Sequence, residues 1–295
     1  MNNRHLYLFL LLLLIFANTV LANDSVEEIP DDPQASDVWK DEKSGMEFVW
    51  MPSDCFQLGN PDKSLSRFLH EKPVHEVCLD GFWMSKYEVT NAQYRHYKGN
   101  HSSKKMKGRS LDGDKQPVVF VSWVEAKEFA RWLTERHEGS YLFRLPTEAE
   151  WEYSCRAGST AIRYWGESSD EACGYANVAD EVFKAKLIHL HSCSDGFTVS
   201  APVGSFKSNA AGLHDMLGNV WEWCEDRYGK DAYRNNKRNN PVYHKVESGI
   251  NYRVIRGGSW LSGPDSVRCA KRSPSPPENQ YDVLGFRLVV SRNNK

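Results

Sequence analysis

The sequence predicts an α+β fold, an irregular single domain with little regular secondary structure. Three observations predict it. The same helix-opening device occurs three times, each time before a short helical pattern. Short strand-like runs separated by turn dipeptides lie around these helices. Much of residues 156–250 has no regular period at all. A chain of 295 residues can bury a sizeable core. With so few repeating segments, that core needs other ties, such as disulfides or bound ions.

The elements follow in chain order. Residues 1–22 read as a secretory signal peptide: a basic start at Arg4 and His5, an apolar run from Leu6 to Phe16, and Val20-Leu21-Ala22 before the expected cut. Asn18 and Thr19 interrupt the run, which makes it short for a bilayer span. Residues 23–40 are acidic, contain Pro and are poor in large apolar groups, the composition of a disordered lead-in. A single domain is expected over 41–295. Thr90-Asn91-Ala92-Gln93, Ser122-Trp123-Val124-Glu125 and Thr147-Glu148-Ala149-Glu150 are capping boxes. The first helix should run to about Gly99. The second carries the stripe Val124, Phe129, Trp132 and Leu133, and the third should stop at Gly158. Glu47–Met51 and Val74–Leu79 read as strands paired with each other. Val118–Val121, Tyr252–Ile255 and Leu284–Val290 are further strand candidates. Asp112-Gly113, Asp195-Gly196, Gly218-Asn219 and Gly257-Gly258 mark turns.

Composition narrows the function. The formal net charge is −2 and the basic residues are dispersed, so nucleic acid is not an expected partner. No later stretch is apolar enough to span a membrane. Seven cysteines contain no CxxC pair, which argues against a zinc ribbon or a thioredoxin-type site. Scattered cysteines in an exported chain pair with one another, and seven leaves one over. A periplasmic or secreted location and a monomeric chain are expected. His189-x-His191 invites a metal reading, but no third ligand is evident and a polar loop edge is the better reading. His70 and His75 read as structural or surface residues.

Six segments then occur in order: HEKPVHEVCLDGFWMSKYEVTNAQY, PVVFVSW, RLPTEAEWEYSCRAG, GLHDMLGNVWEW, RVIRGGSW and LGFRLVV. Together they resemble the formylglycine-generating enzyme (sulfatase-modifying factor) family over nearly all of Met46 to Val290. The resemblance implies a compact irregular fold related to C-type lectins, with two calcium sites acting as staples. It also implies oxidation of a sulfatase Cys to formylglycine by copper held on two cysteines just after the GGSW turn. It implies a Cys155–Cys269 disulfide. Cys55–Cys78 and Cys173–Cys193 are the further expected pairs, with Cys224 left free.

The match departs where the copper should sit. Ser262 takes the place of the first copper Cys. The second falls on Val267 or in a gap, because the loop is shorter here. Soft thiolates hold Cu(I), and a neutral hydroxyl does not replace them, so copper is not expected. Ser259, Trp260 and Ser262 remain as groove candidates, with Pro274–Pro277 as a rigid loop beside them. The resemblance assigns calcium to Asn177, Val178, Asp195 and Phe197 at one site, and to Asp215, Gly218, Val220 and Glu222 at the other. Val178, Phe197, Gly218 and Val220 would give carbonyls, and such oxygen-only sets suit Ca²⁺. An insertion between Val178 and Asp195 puts strain on the first match, and Cys173 and Cys193 near its ends could clip it closed.

Three functions from different classes follow. One is an exported maturation or oxidative tailoring factor that acts on a protein or peptide substrate without the copper pair; family members that tailor exported siderophore precursors lack that pair too. The second is a non-catalytic paralogue that binds a peptide or partner. The third is a structural envelope component.

Overall fold

The computed structural model describes residues 28–62, 68–181, 189–246, 249 and 251–292. The expected leader over 1–22 lies outside them. Seventeen short elements follow the chain: β1 (Val38–Asp41), β2 (Met46–Met51), β3 (Asp54–Leu58), β4 (His75–Leu79), β5 (Phe82–Ser85), α1 (Asn91–Tyr97), β6 (Lys105–Met106), β7 (Arg109–Ser110), α2 (Trp123–Arg136), β8 (Tyr141–Arg144), α3 (Glu148–Arg156), β9 (Trp221–Arg227), α4 (Ala232–Asn235), β10 (Arg253–Arg256), β11 (Arg272–Ser275), β12 (Leu284–Gly285) and β13 (Val289–Arg292). Five strands form one sheet in the order β1-β2-β5-β13-β8, and four form a second in the order β11-β10-β9-β12. β3-β4 and β6-β7 are separate hairpin ladders. The α+β class holds, and so does the scarcity of regular structure.

The three capping boxes all form, and each fixes where a helix begins. Thr90, Ser122 and Thr147 each accept from the backbone of the third helical residue, whose side chain reaches back to the cap. The stop of α3 comes one residue earlier than expected, at Ala157 with φ 44°, ahead of Gly158. Phe129 and Leu133 of α2 are buried with Ala126 and Ala130 against the first sheet's core.

The strands differ from expectation at four places. β2 pairs with β1 and β5, and β4 with β3, so the two early runs are not each other's partners. Residues 118–121 are not a strand, because Phe120 adopts φ 58° and breaks the extended path. The Pro274–Pro277 segment is partly β11, where Pro274 sits on an edge strand that does not need its missing N–H. The lead-in is ordered from residue 28 onwards: Ile29 is buried beside Tyr141, and β1 joins the first sheet. Composition could not show this, because one buried Ile and one strand are enough to tie such a segment down.

Disulfides link Cys55 to Cys78 across the β3-β4 ladder, Cys155 at the end of α3 to Cys269, and Cys173 to Cys193. Cys224 is free and buried. The Cys155–Cys269 bridge closes 114 residues, a loop length for which the chain-entropy model gives about 4–5 kcal/mol. Among the described residues no helix is long and apolar enough to cross a membrane.

Candidate functional site

The turn 257–262 places Ser259, Trp260 and Ser262 between β10 and the chain leading to Cys269. Gly257 and Gly258 take φ 97° and 81°, and a Cβ on Gly258 would lie 3.2 Å from the Ser266 carbonyl. The Ser259 N–H donates to Ser262 Oγ at 2.9 Å, and the two hydroxyl oxygens are 3.3 Å apart. The Trp260 N–H donates to the Asn219 carbonyl. All three side chains are buried. Val267, on which the second copper Cys falls unless a gap takes its place, is fully buried, and Cys269 is tied to Cys155. The hydroxyls therefore close the turn on itself.

The residues matched to calcium converge on two neighbouring places joined by Asn219. At the first, Asp195 accepts from the N–H groups of Val178 and Phe197, each at 2.8 Å. Burial pushes its carboxyl up to about 6. Asp180, absent from the expected set, accepts from the Asp195 N–H. Potential ligand atoms of Cys173, Asp180 and Asp195 lie within 4.8 Å of one another, although Cys173 is held in its disulfide. Asn177 donates to the Val199 carbonyl and to Asn219 Oδ1, while its own Oδ1 is buried without a hydrogen-bond partner.

At the second place Asp215 Oδ2 accepts from the Gly204 N–H at 2.7 Å, and its Oδ1 is buried without a partner. Burial pushes this carboxyl up to about 6. Glu222 is already engaged: Arg287 Nε lies 2.9 and 2.8 Å from its two oxygens and Trp151 Nε1 donates at 2.7 Å. Gly218 takes φ 82°, and a Cβ there would lie 2.4 Å from the Asn177 carbonyl, so only glycine fits. Glu88 is the residue the sequence did not point to. Its fully buried carboxylate accepts from Asn219 Nδ2 at 2.7 Å and from the Val220 N–H at 3.2 Å. Burial first, then the charges of Asp215 and Glu222, push it well above the usual range. Nothing in Tyr87-Glu88-Val89 signals this role, because the contact spans more than a hundred residues.

Asn219 ties both places together in the left-handed region, at φ 52°. Its N–H donates to the Asn177 carbonyl, its Oδ1 accepts from Asn177 Nδ2 and from the Ala201 N–H, and its Nδ2 donates to Glu88. A buried carboxylate oxygen and a buried amide oxygen without partners are costly. One lies at each place, and an oxygen-seeking cation would satisfy both. The donor set therefore fits Ca²⁺, which these residues would hold as a structural staple. Glu222 would have to share its carboxylate with Arg287.

The paired histidines do not form a centre. His191 is fully buried with Nδ1 against the Ser169 carbonyl at 2.7 Å, whereas His189 is exposed. His70 and His75 are half-buried beside aromatic rings.

Fold and site together define a disulfide-stapled α+β domain with carboxylate-rich turns and a closed serine turn. The chain belongs to the sulfatase-modifying factor enzyme 1-like domain family, whose model matches residues 34–292. It is similar to the formylglycine-generating enzyme of Thermomonospora curvata, 34% identical over 292 residues, covering 82% of this chain and 92% of that one. It is also similar to a serine/threonine-protein kinase pkn1 of Chlamydia caviae, 34% identical over 239 residues and 74% of this chain. This chain spans about a third of the length of that chlamydial protein (34%), so the activity in its name is said of the longer protein. Among solved structures it resembles PvdO from Pseudomonas aeruginosa, with a TM-score of 0.74 and 28% identity over 88% of this chain and 99% of that one.

Proposed function

We propose that this chain is an exported, calcium-stapled member of the formylglycine-generating enzyme family that recognises a polypeptide without the copper oxidation of the two-cysteine members. The observation that carries this is the state of its thiols. Six of the seven cysteines are in disulfides and the seventh, Cys224, is buried in β9. A single thiol cannot build a two-thiolate Cu(I) site. The Ser262 hydroxyl, at the first copper position, is used to close its own turn. Between a partner-binding domain and a tailoring factor working by another route, the closed turn supports binding. The disulfides fit a periplasmic or secreted location.

The test is to incubate the purified chain with Cu(I), reductant, O₂ and a peptide carrying Cys-x-Pro-x-Arg, and to follow peptide mass. No formylglycine and no tight Cu(I) binding are expected. Turnover at the rate of a two-cysteine enzyme would overturn the proposal. A mass change in the peptide without copper would restore the tailoring reading.

A further inference from the structure

The three bridges are not equally sheltered. Cys155 and Cys269 are fully buried. Cys173 and Cys193 are half-buried, and Cys173 Sγ turns inward, within 4.8 Å of carboxylate oxygens of Asp180 and Asp195. Cys55 is exposed and its partner Cys78 is half-buried. Strand alternation explains the difference. On β3 and β4, Phe56, Leu58, Val77 and Leu79 turn inward, and Phe56 packs on Tyr153 with ring centres 5.3 Å apart. Cys55, Gln57, Glu76 and Cys78 take the opposite face, so this bridge lies on the solvent side of its ladder.

The ladder does not depend on the bridge. Cys55 and Cys78 are directly opposed in register. The Cys78 N–H donates to the Arg238 carbonyl at 2.8 Å, and the Cys78 carbonyl accepts from the Asn240 N–H at 2.9 Å. Its main chain therefore faces the 238–240 segment, and the two cysteines form a non-hydrogen-bonded pair joined through sulfur. Side chains repeat the tie to that segment. Arg238 Nε donates to Glu76 at 2.9 Å, and Asn240 bonds the Asp80 N–H and carboxylate at 2.9 and 2.8 Å. The Asp54 carboxylate, beside the bridge, is held by the Cys55 N–H at 2.7 Å. Leu58 and Val77 anchor the inner face, fully buried. The bridge closes 23 residues, against 114 for Cys155–Cys269, so opening it releases less chain entropy in the unfolded state. The free thiol of Cys224 is fully buried, and burial pushes it well above its usual range, so it supplies no internal thiolate to compete.

We propose that Cys55–Cys78 is a thiol–disulfide exchange site, opened and closed by an external dithiol while the domain stays folded. One thiolate of the dithiol attacks Cys55 Sγ, on the exposed residue of the pair. The Cys55–Cys78 bond breaks, a mixed disulfide forms on Cys55, and Cys78 leaves as a thiolate that takes a proton from water. The second thiol of the dithiol, having lost its proton, attacks its partner's sulfur in the mixed disulfide. Cys55 is released as a thiolate and is protonated in turn. The dithiol is oxidised and the bridge reduced by two electrons, and the reverse sequence restores the bridge. Access limits such exchange, which is why exposed bridges are the labile and regulatory ones. The site uses neither the Ser259–Ser262 turn nor the two calcium places. It takes from the proposed function only that the chain works where disulfides form.

The experiment treats the folded full chain with graded dithiothreitol, blocks free thiols with iodoacetamide in native buffer, and maps the alkylated positions by mass spectrometry. Cys55 and Cys78 should be alkylated at least about tenfold faster than the cysteines of the other two bridges. Far-UV circular dichroism should stay that of the oxidised chain. With reduced glutathione, a monothiol, the adduct should sit on Cys55, with Cys78 captured by iodoacetamide. The C55S/C78S variant should fold, lose the fast phase and keep the slow ones. The inference is overturned if either other bridge opens as fast, or if all the bridged cysteines are alkylated together. It is also overturned if the glutathione adduct sits on Cys78, or if the circular dichroism is lost with the bridge or in the double variant. None of these outcomes bears on the copper test, which follows the mass of a peptide.

Discussion

Two buried charge clusters meet at Trp151 and are built on opposite rules. Arg256 lies over its ring, 5.0 Å from the centre, and belongs to a cluster of four guanidinium groups, Arg156, Arg256, Arg268 and Arg272, and four carboxylates, Glu71, Glu148, Glu152 and Asp226. Arg268 grips Glu71 with two bonds of 2.8 Å, Arg272 grips Glu148 at 2.7 and 2.6 Å, and Arg256 reaches Glu152 at 2.5 Å. Asp226 accepts from the Glu148 and Tyr243 N–H groups. At its ring nitrogen, Trp151 Nε1 donates to Glu222, in a second cluster where Glu88, Asp215 and Glu222 share one cation, Arg287. The first cluster balances its charge from its own side chains. The second sets three carboxyl groups against one guanidinium and leaves an Asp215 oxygen unpartnered. Burial tolerates charge only when it is paired, so the first cluster is close to balanced, with Arg256 Nε its one buried nitrogen without a hydrogen-bond partner, whereas the second, short of cations, offers a place for one from outside.

The comparison can be broken most severely in the balanced cluster. Arg256→Ala leaves Glu148 and Glu152 short of a partner in a buried site and should cost about 3–5 kcal/mol in denaturant unfolding. Calcium should not restore the loss. A mild effect, or rescue by calcium, would erase the distinction between the clusters.

The next effect belongs to the unbalanced side. Calcium at a hundredfold excess over Kd should stabilise the fold by about 2.7 kcal/mol, lost on chelation. Asp215→Ala should remove most of the second site's share. Identical melts in EDTA and in calcium would show that the cluster is self-sufficient after all.

Asn219→Ala tests whether the two calcium places are one unit. It removes bonds to Asn177, Glu88 and Ala201 together, at a cost of about 1–3 kcal/mol. Calorimetric calcium titration should show affinity falling at both places. Loss at one place alone would make them independent.

The smallest effect is a difference between pH slopes. Burial and then the Glu148 charge push Asp226 up to about 7, and burial pushes Asp215 and Asp195 up to about 6. Their folded values lie above the unfolded value of about 3.9, so the native state holds these protons more tightly. Their contribution to stability is full below about pH 4 and is lost as pH rises through the folded values. In EDTA the fall should run from about pH 4 to 7. Saturating calcium should make the slope between about pH 4 and 6 shallower, leaving the Asp226 portion, which runs from about pH 4 to 7. Melts across pH with parallel slopes in the two conditions would contradict this.

The sequence by itself determined the family, the class of fold, all three helix starts and the Cys155–Cys269 pair, while the structure decided between the open pairings of the other cysteines. Capping boxes act over four residues, so a linear reading contains everything that makes them. The ordered run of motifs carried the rest. Strand partners were decided elsewhere. β2 and β4 read alike, but the alternation of side chains does not say which edge each will meet, and β5 and β3 took them. The candidate cation centre was legible as Asn177, Asp195, Asp215 and Glu222. The residues that complete it or compete for it, Glu88, Asp180, Asn219 and Arg287, were not. Glu88 reaches Asn219 across 131 positions, and Arg287 reaches Glu222 across 65. Only tertiary structure decides such contacts, because a buried charge selects its partner by distance and desolvation, and neither quantity is written in the order of residues.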